Sequence, residues 1–521
     1  MNQKHVTLAA CLLAFGLAAQ AQNGGISPDM LKKIQNSYQN TAADKALRNA
    51  MGGTSIKELA LNQENQKALN TDFSIKVESK GITDQQSSGR CWLFTGLNVM
   101  RAKAIARYDL PGLEFSQVYS FFWDQLEKSN LFLQGVIETA GKPMNDQTVE
   151  WLFKHPLSDG GTFTGVADIV SKYGLVPKEA MPETYSSEHT SYMSSLIGLK
   201  LKEFGLELRE MAAKGEKAAT IENRKEEMLG TVYRMLVLTL GVPPTEFDYV
   251  RKDSKGNVVA TEHHTPMSFL EKYGDTNLLT NYVMVMNDPS REYYKCYEIA
   301  YDRHRYDGKN WTYVNLPVEE IKEMAIASLK DSTRMYFSSD VTQLDSKRGL
   351  LDVNNYDFGS LMGTTFGMDK KERIQTFASM SAHAMTLMAV DLDANGKPKN
   401  GWWKIAGELH QAISVIMGAN IGTTVTGWLL SLSGLEGDSF LTKMMNPTAW
   451  SPILGFIGIW LYMIGQDRKR GVGKILLGFS ILMAGMNTMS HAMSPLADEP
   501  WFMDLFLSFK NPILGVIAGA C

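Results

Sequence analysis

Cysteine is scarce in this chain. Its 521 residues hold four, at positions 11, 91, 296 and 521. A count this low argues against a disulfide framework. Charge of one sign is lacking too: 52 basic residues face 56 acidic ones, a formal net charge of -4. No basic excess points to a nucleic-acid partner. Repeats and low-complexity tracts are absent from the first 400 residues. Beyond Lys404 it is charge itself that runs out, and long apolar runs take over. That shift divides the chain, which is in any case too long for one average core.

What is present begins with an export signal. Lys4 and His5 precede an apolar stretch from Val6 to Ala19, and Ala19-Gln20-Ala21 fits a small-x-small cleavage site. Residues 1–21 are therefore expected to be removed and the remainder to be periplasmic or membrane-associated. Leu8-Ala9-Ala10-Cys11 has the look of a lipoprotein box, but too few apolar residues precede it. Cleavage after Ala21 leaves Cys91, Cys296 and Cys521, an odd number that requires at least one thiol.

Periodicity sketches the elements. Phe73 to Val77 reads as a short strand and Trp92 to Arg107 as a helix ending before Pro111-Gly112. Phe115 to Phe132 is a second, aromatic-rich helix. Leu196 to Leu240 alternates charge and apolarity with a period near 3.6, which predicts one or two long surface helices. Tyr282 to Met286 and Met385 to Val390 read as buried strands, the latter followed by a turn at Asp393-Ala394-Asn395-Gly396. Helices first and strands later suit an α+β fold of two lobes around a cleft.

The segment Asp84-Gln85-Gln86-Ser87-Ser88-Gly89-Arg90-Cys91-Trp92 carries the chemistry. Cys91 opens the predicted helix, where the positive end of the dipole favours thiolate. Gly89 permits a close backbone approach. The Gln85 amide, six residues earlier, is able to donate to the oxyanion of a tetrahedral intermediate beside the Cys91 backbone N–H.

Ser-Ser-Gly-Arg-Cys-Trp preceded by that Gln resembles the active-site segment of the bleomycin hydrolase/aminopeptidase C family of papain-type cysteine peptidases. Further segments agree: Glu114-Phe115-Ser116-Gln117, Phe121-Phe122-Trp123-Asp124, Asp159-Gly160-Gly161, Tyr173 to Lys178, Met181-Pro182-Glu183 and Ser381-Ala382-His383-Ala384-Met385. The resemblance spans about residues 25–400. It implies a papain-like two-lobed fold and hydrolysis of peptides from the N-terminus. It further implies Cys91 as nucleophile, His383 as general base, Gln85 as oxyanion donor, and Gly160 and Gly161 in the substrate cleft. No metal or other cofactor is implied; subunits of the resembling enzymes assemble into rings.

Two family features are missing. The Asn that orients the imidazole sits in an Asn-Ser-Trp-Gly segment about two dozen residues after the His, and this chain instead reads Lys399-Asn400-Gly401-Trp402-Trp403-Lys404 and departs. Asn400 reads as a turn residue. The C-terminal arm that restricts resembling enzymes to free N-termini is also missing. Lesser signals are set aside: Asp391-x-Asp393-x-Asn395-Gly396 has Trp402 where a calcium loop needs Glu. His263-His264 reads as a surface loop, and Gly471 to Lys474 lacks the rest of a phosphate loop.

From residue 404 onward the expected region is α-helical and membrane-type. Its apolar stretches are Ile413 to Leu432, Trp450 to Ile464, Ile475 to Met493 and Phe502 to Ala520. Residues 407–521 are similar to the bacterial sodium/phosphate cotransporters, with Asn420, Thr423 and Thr424 as a possible ion-site remnant in a broken helix. That family's two Gln-Ser-Ser segments are absent. The chain thus reads as a signal peptide (1–21), an incomplete peptidase domain (22–403) and a partial cotransporter-like region (404–521), joined near Trp402. Besides an active peptidase, two alternatives stand: a catalytically impaired, membrane-tethered homologue, and a fragment of a sodium-dependent phosphate transporter.

Overall fold

The computed structural model describes residues 24–65, 73–77, 83–110, 112–406 and 447–464, with parts of 469–481. The chain divides into two units, residues 1–410 and 411–521. The expected signal peptide, the first and last apolar stretches, and Asn420, Thr423 and Thr424 lie outside the described residues.

Two short helices, α1 (Pro28–Ser37) and α2 (Ala42–Gly53), open the first unit. Both begin on a hydroxyl that caps the first turn, Ser27 and Thr41. The helical lobe then builds on α3 (Cys91–Tyr108), α4 (Gln117–Glu138), α5 (Phe163–Tyr173), α6 (Thr190–Ala213) and α7 (Ala218–Leu240). The long amphipathic region resolves into two helices broken at Gly215, whose φ of +75° ends the first. Only one stripe of α6 is buried: Ile197, Leu201, Phe204 and Leu208, spaced four and three apart. These side chains join Trp92, Leu93, Leu97, Phe122 and Val166 in one core. Gly96 lets α3 and α5 meet, since a Cβ there would lie 2.6 Å from Val166.

The second lobe is a four-stranded antiparallel sheet. Its central strand β5 (His383–Leu392) pairs on one side with β6 (Pro398–Ala406). Its other edge is shared by β4 (Met335–Ser339) along residues 383–387 and β1 (Ile75–Lys76) at 389–390. Being central, β5 buries Ala384 to Asp391 on both faces, which is why most of its residues are apolar rather than alternating. The helix α8 (Val318–Lys330) covers the sheet, packing Ile326 and Leu329 onto Val390. The β5–β6 turn falls at Asp393 to Gly396, where Gly396 takes a φ of +75°.

Several expectations need correction. Within Tyr282 to Met286 only Val285 and Met286 form a strand, and both are half-buried rather than buried. His263 and His264 end a strand, β3 (Val258–His264), paired with β2 (Phe247–Lys252). Strand alternation turns His263 outward and buries His264 against Phe247, Phe269 and Tyr273. Asn400 is in β6, not in the turn, and β6 persists through Ala406, beyond the expected break near Trp402.

In the second unit α9 spans Pro447–Ile464. Pro452 lies inside it and interrupts the ladder. Among the described residues no helix is long and apolar enough to cross a membrane. Gly458 and Gly473 let the backbones of α9 and the following segment approach closely, a Cβ on Gly473 falling 2.7 Å from the Tyr462 nitrogen. Gly458 and Gly473 therefore serve close packing.

Candidate active site

Cys91 is the first residue of α3, where backbone N–H groups have no intrahelical acceptor. Its side chain is half-buried against the main core, and both Cys91 and Cys296 remain thiols. The turn before it is pinned from three directions. Gly89 N–H donates to the Asp159 carboxylate at 2.9 Å, and a Cβ on Gly89 would fall 2.3 Å from that same group. The Trp92 indole N–H donates to the Asp159 carbonyl at 2.8 Å, while Thr190 donates its hydroxyl to the carboxylate at 2.6 Å.

Arg90 supplies the third hold. It is fully buried, with its guanidinium over the rings of Phe94 and Phe121. It binds both oxygens of Glu183, at 3.2 and 2.9 Å, and donates through Nε to Ser88 Oγ at 3.1 Å. Ser88 in turn donates to the Gln85 carbonyl at 2.6 Å and accepts from the Gln85 amide at 2.8 Å. A relay therefore runs Glu183–Arg90–Ser88–Gln85, fixing the amide expected to serve an oxyanion. An amide nitrogen has two hydrogens, so the bond to Ser88 leaves Gln85 one N–H to donate elsewhere.

His383 begins β5, the strand against which α3 packs. The next residue, Ala384, belongs to the same core as Trp92, with Cys91 lying against it. Burial holds the imidazole below its ordinary pKa, favouring the neutral ring. Its Nε2 is buried and has no hydrogen-bond partner among the described residues. Among the described residues the register pairs Thr386 with Ala406, three residues from His383. The orienting Asn of an Asn-Ser-Trp-Gly segment is not in this sequence. Asn400 does not replace it. Trp403 pairs with Val390, so Asn400 lies at the turn end of the hairpin, roughly 25 Å from His383 at about 3.3 Å per residue.

Gly160 and Gly161 follow Asp159 in the loop leading to α5. The Gly160 carbonyl accepts from Lys128 at 2.7 Å, and its N–H donates to Ser158 Oγ at 3.1 Å. Gly161 rests on two rings: a Cβ there would meet His304 Cε1 at 2.2 Å and Trp92 Cδ2 at 2.8 Å. His304 is buried, bonded through Nδ1 to Asp124 and set edge-on to Trp92 at 4.6 Å. Sequence reasoning misses Lys128, His304 and the Arg90–Glu183 pair. Asp124 and Glu183 fall inside recognised segments, but nothing in the linear pattern names their partners.

A helix opening on Cys, packed on a sheet whose central strand opens on His, defines a papain-like thiol peptidase. Comparison with known proteins agrees. The Peptidase C1-like family matches residues 25–408, and the chain belongs to that family. Aminopeptidase C of Lactobacillus delbrueckii subsp. lactis is 35% identical over 383 residues, 73% of this chain and 84% of that protein. Bleomycin hydrolase of Mus musculus is 33% identical over 338 residues, 64% of this chain and 74% of its own. The crystal structure of PepW from Lactobacillus rhamnosis superposes with a TM-score of 0.70 at 35% identity, covering 75% of this chain and 88% of that one. A second match, to the Na+/Pi-cotransporter family, covers residues 373–491. It overlaps the first over 373–408, a stretch that includes β5 and the whole of β6. The chain is a cysteine peptidase of the aminopeptidase C kind over most of its length, followed by cotransporter-like sequence.

Proposed function

We propose that this chain hydrolyses peptide bonds near a free N-terminus through Cys91, with His383 as general base. His383 takes the thiol proton, and the sulfur attacks the scissile carbonyl carbon. The oxyanion is met by the Cys91 N–H and the free N–H of Gln85. As the C–N bond breaks, the imidazolium returns its proton to the leaving amine, and a thioester remains. Water, deprotonated by His383, then attacks the thioester and releases the acid. The backbone of Gly160 and Gly161 borders the non-leaving side of the peptide. No step requires a cofactor.

The observation that carries this reading is the packing of a Cys-initiated helix against a His-initiated strand, with the turn before Cys91 held by the Glu183–Arg90–Ser88–Gln85 relay. Because the sequence carries no Asn-Ser-Trp-Gly segment after His383, a lower rate is expected than in relatives with an orienting amide. A misplaced imidazole costs on the order of 10²-fold. Peptides with free and acetylated N-termini should be incubated with the wild-type chain, C91A and H383A. Release of N-terminal residues by the wild type alone is expected. Equal release by C91A would refute the reading. The proposal includes export: residues 1–21 should be missing from the mature chain recovered from its host.

A further inference from the structure

The motif residues do not explain why the substrate loop is so firmly founded. Beneath it sits a buried cluster assembled from two distant stretches of chain. Asp124 on α4 is fully buried and bonds His304 Nδ1 from the segment between residues 299 and 311. One helical turn further on, Lys128 forms an ion pair with Asp124 at 2.9 Å. Burial alone would raise the Asp124 carboxyl, but Lys128 and His304 hold it below its ordinary value, so it stays anionic.

Asp124 also accepts from the Gln125 amide at 3.0 Å, and its other two partners, Lys128 and His304, reach the glycine loop. Lys128 donates to the carbonyls of Ser158 and Gly160, at 3.0 and 2.7 Å. The opposite edge of His304, Cε1 and Nε2, lies directly under the backbone of Gly161 and Gly165, where any Cβ would fall within 2.6 Å of it. His304 and Lys128 flank Trp92, the residue after Cys91, the ring of one at 4.6 Å and the ammonium of the other at 5.3 Å. One carboxylate thus fixes a cation that pulls on the loop and a ring that supports it.

We propose that His304, clamped by Asp124, is a positioning residue for peptide recognition: it sets the height of the Gly160–Gly161 backbone relative to Cys91. This rests on the peptidase reading, since the loop needs a fixed height only if a peptide lies along it. His304 touches the loop rather than the thiol, so its effect should fall on reagents that carry a peptide.

The discriminating variant is His304→Asn in the full chain. An Asn amide takes the place of Nδ1 and still donates to Asp124, while the Cε1–Nε2 edge under the glycines is removed. Modification of Cys91 is followed with a peptidyl epoxide and with iodoacetamide. The epoxide rate should fall ~10-fold while the iodoacetamide rate stays within about twofold. Equal losses with both reagents, or none with either, overturn the proposal. Amide hydrogen exchange across residues 159–165 is measured on the same proteins. Exchange should quicken ~10-fold in the variant, and unchanged protection also overturns the proposal. Should wild-type Cys91 react with neither reagent, the peptidase reading fails, and the exchange measurement alone decides whether His304 supports the loop.

Discussion

Replacing Glu183 by Ala strands the guanidinium of Arg90, whose side chain is wholly buried while that of Glu183 is 14% exposed. Removing one partner of a buried pair costs about 3–5 kcal/mol, because the remaining charge has neither counter-ion nor water. The opening on the Glu183 side admits solvent, which places the expected loss near the lower end, ~3 kcal/mol. Glu183→Gln keeps an acceptor and loses the charge, so it should cost less, about 1.5–2 kcal/mol. The double variant R90M/E183L removes both charges from a site walled by Phe94 and Phe121 and should recover most of the loss. Urea unfolding followed by far-ultraviolet circular dichroism measures all three. The reasoning is refuted if E183A lies within about 0.5 kcal/mol of wild type, a margin set by the usual range for surface changes. It is refuted equally if the double variant is no better than the single one. The relay adds a second consequence: E183A should also slow alkylation of Cys91, since Ser88 and Gln85 lose the anchor that orders them.

Other expectations follow from single contacts. Gly174→Ala should destabilise by roughly 1–3 kcal/mol, because φ is +77° and the new Cβ would meet the Pro266 carbonyl carbon at 2.4 Å; thermal unfolding no lower than wild type would contradict this. Gly161→Ala should leave iodoacetamide labelling intact and abolish peptide turnover, since the Cβ would drive into His304. His383 has a folded pKa below its unfolded value of 6.5. Its stability contribution is therefore complete above pH 6.5 and is lost as the pH falls through the folded value. Stability measured from about pH 7.5 down to about pH 5 should accordingly decline more in the wild type than in H383F, and identical slopes would count against a buried neutral ring.

The chemistry around the thiol is legible in the sequence because it is local. Gln85, Gly89 and Cys91 lie within seven residues, so a turn, a helix start and an oxyanion donor are readable together. His383 is different. Nothing in an apolar strand beginning with His marks a base, and only resemblance to the family singles it out. The Asp124–His304 contact joins residues 180 positions apart, and no periodicity encodes such a pairing. The departure at His264 has a similar origin: a polar-looking run conceals a strand whose alternation half-buries Ala260 and Glu262 and buries His264. The Peptidase C1-like match runs on to residue 408, past the expected boundary near Trp402. Backbone pairing along β6 likewise continues to Ala406.

The pH dependence of Cys91 carboxymethylation tests the central claim, a proton shared between the Cys91 sulfur and the His383 imidazole, most directly. A thiol of ordinary pKa near 8.5 is only about 0.3% thiolate at pH 6. The account predicts that the wild type reacts at pH 6 at least ~10-fold faster than that fraction allows, and that H383A loses this excess while keeping its fold. A wild-type profile that rises through a single ionisation near pH 8.5 and superposes on that of H383A would contradict it.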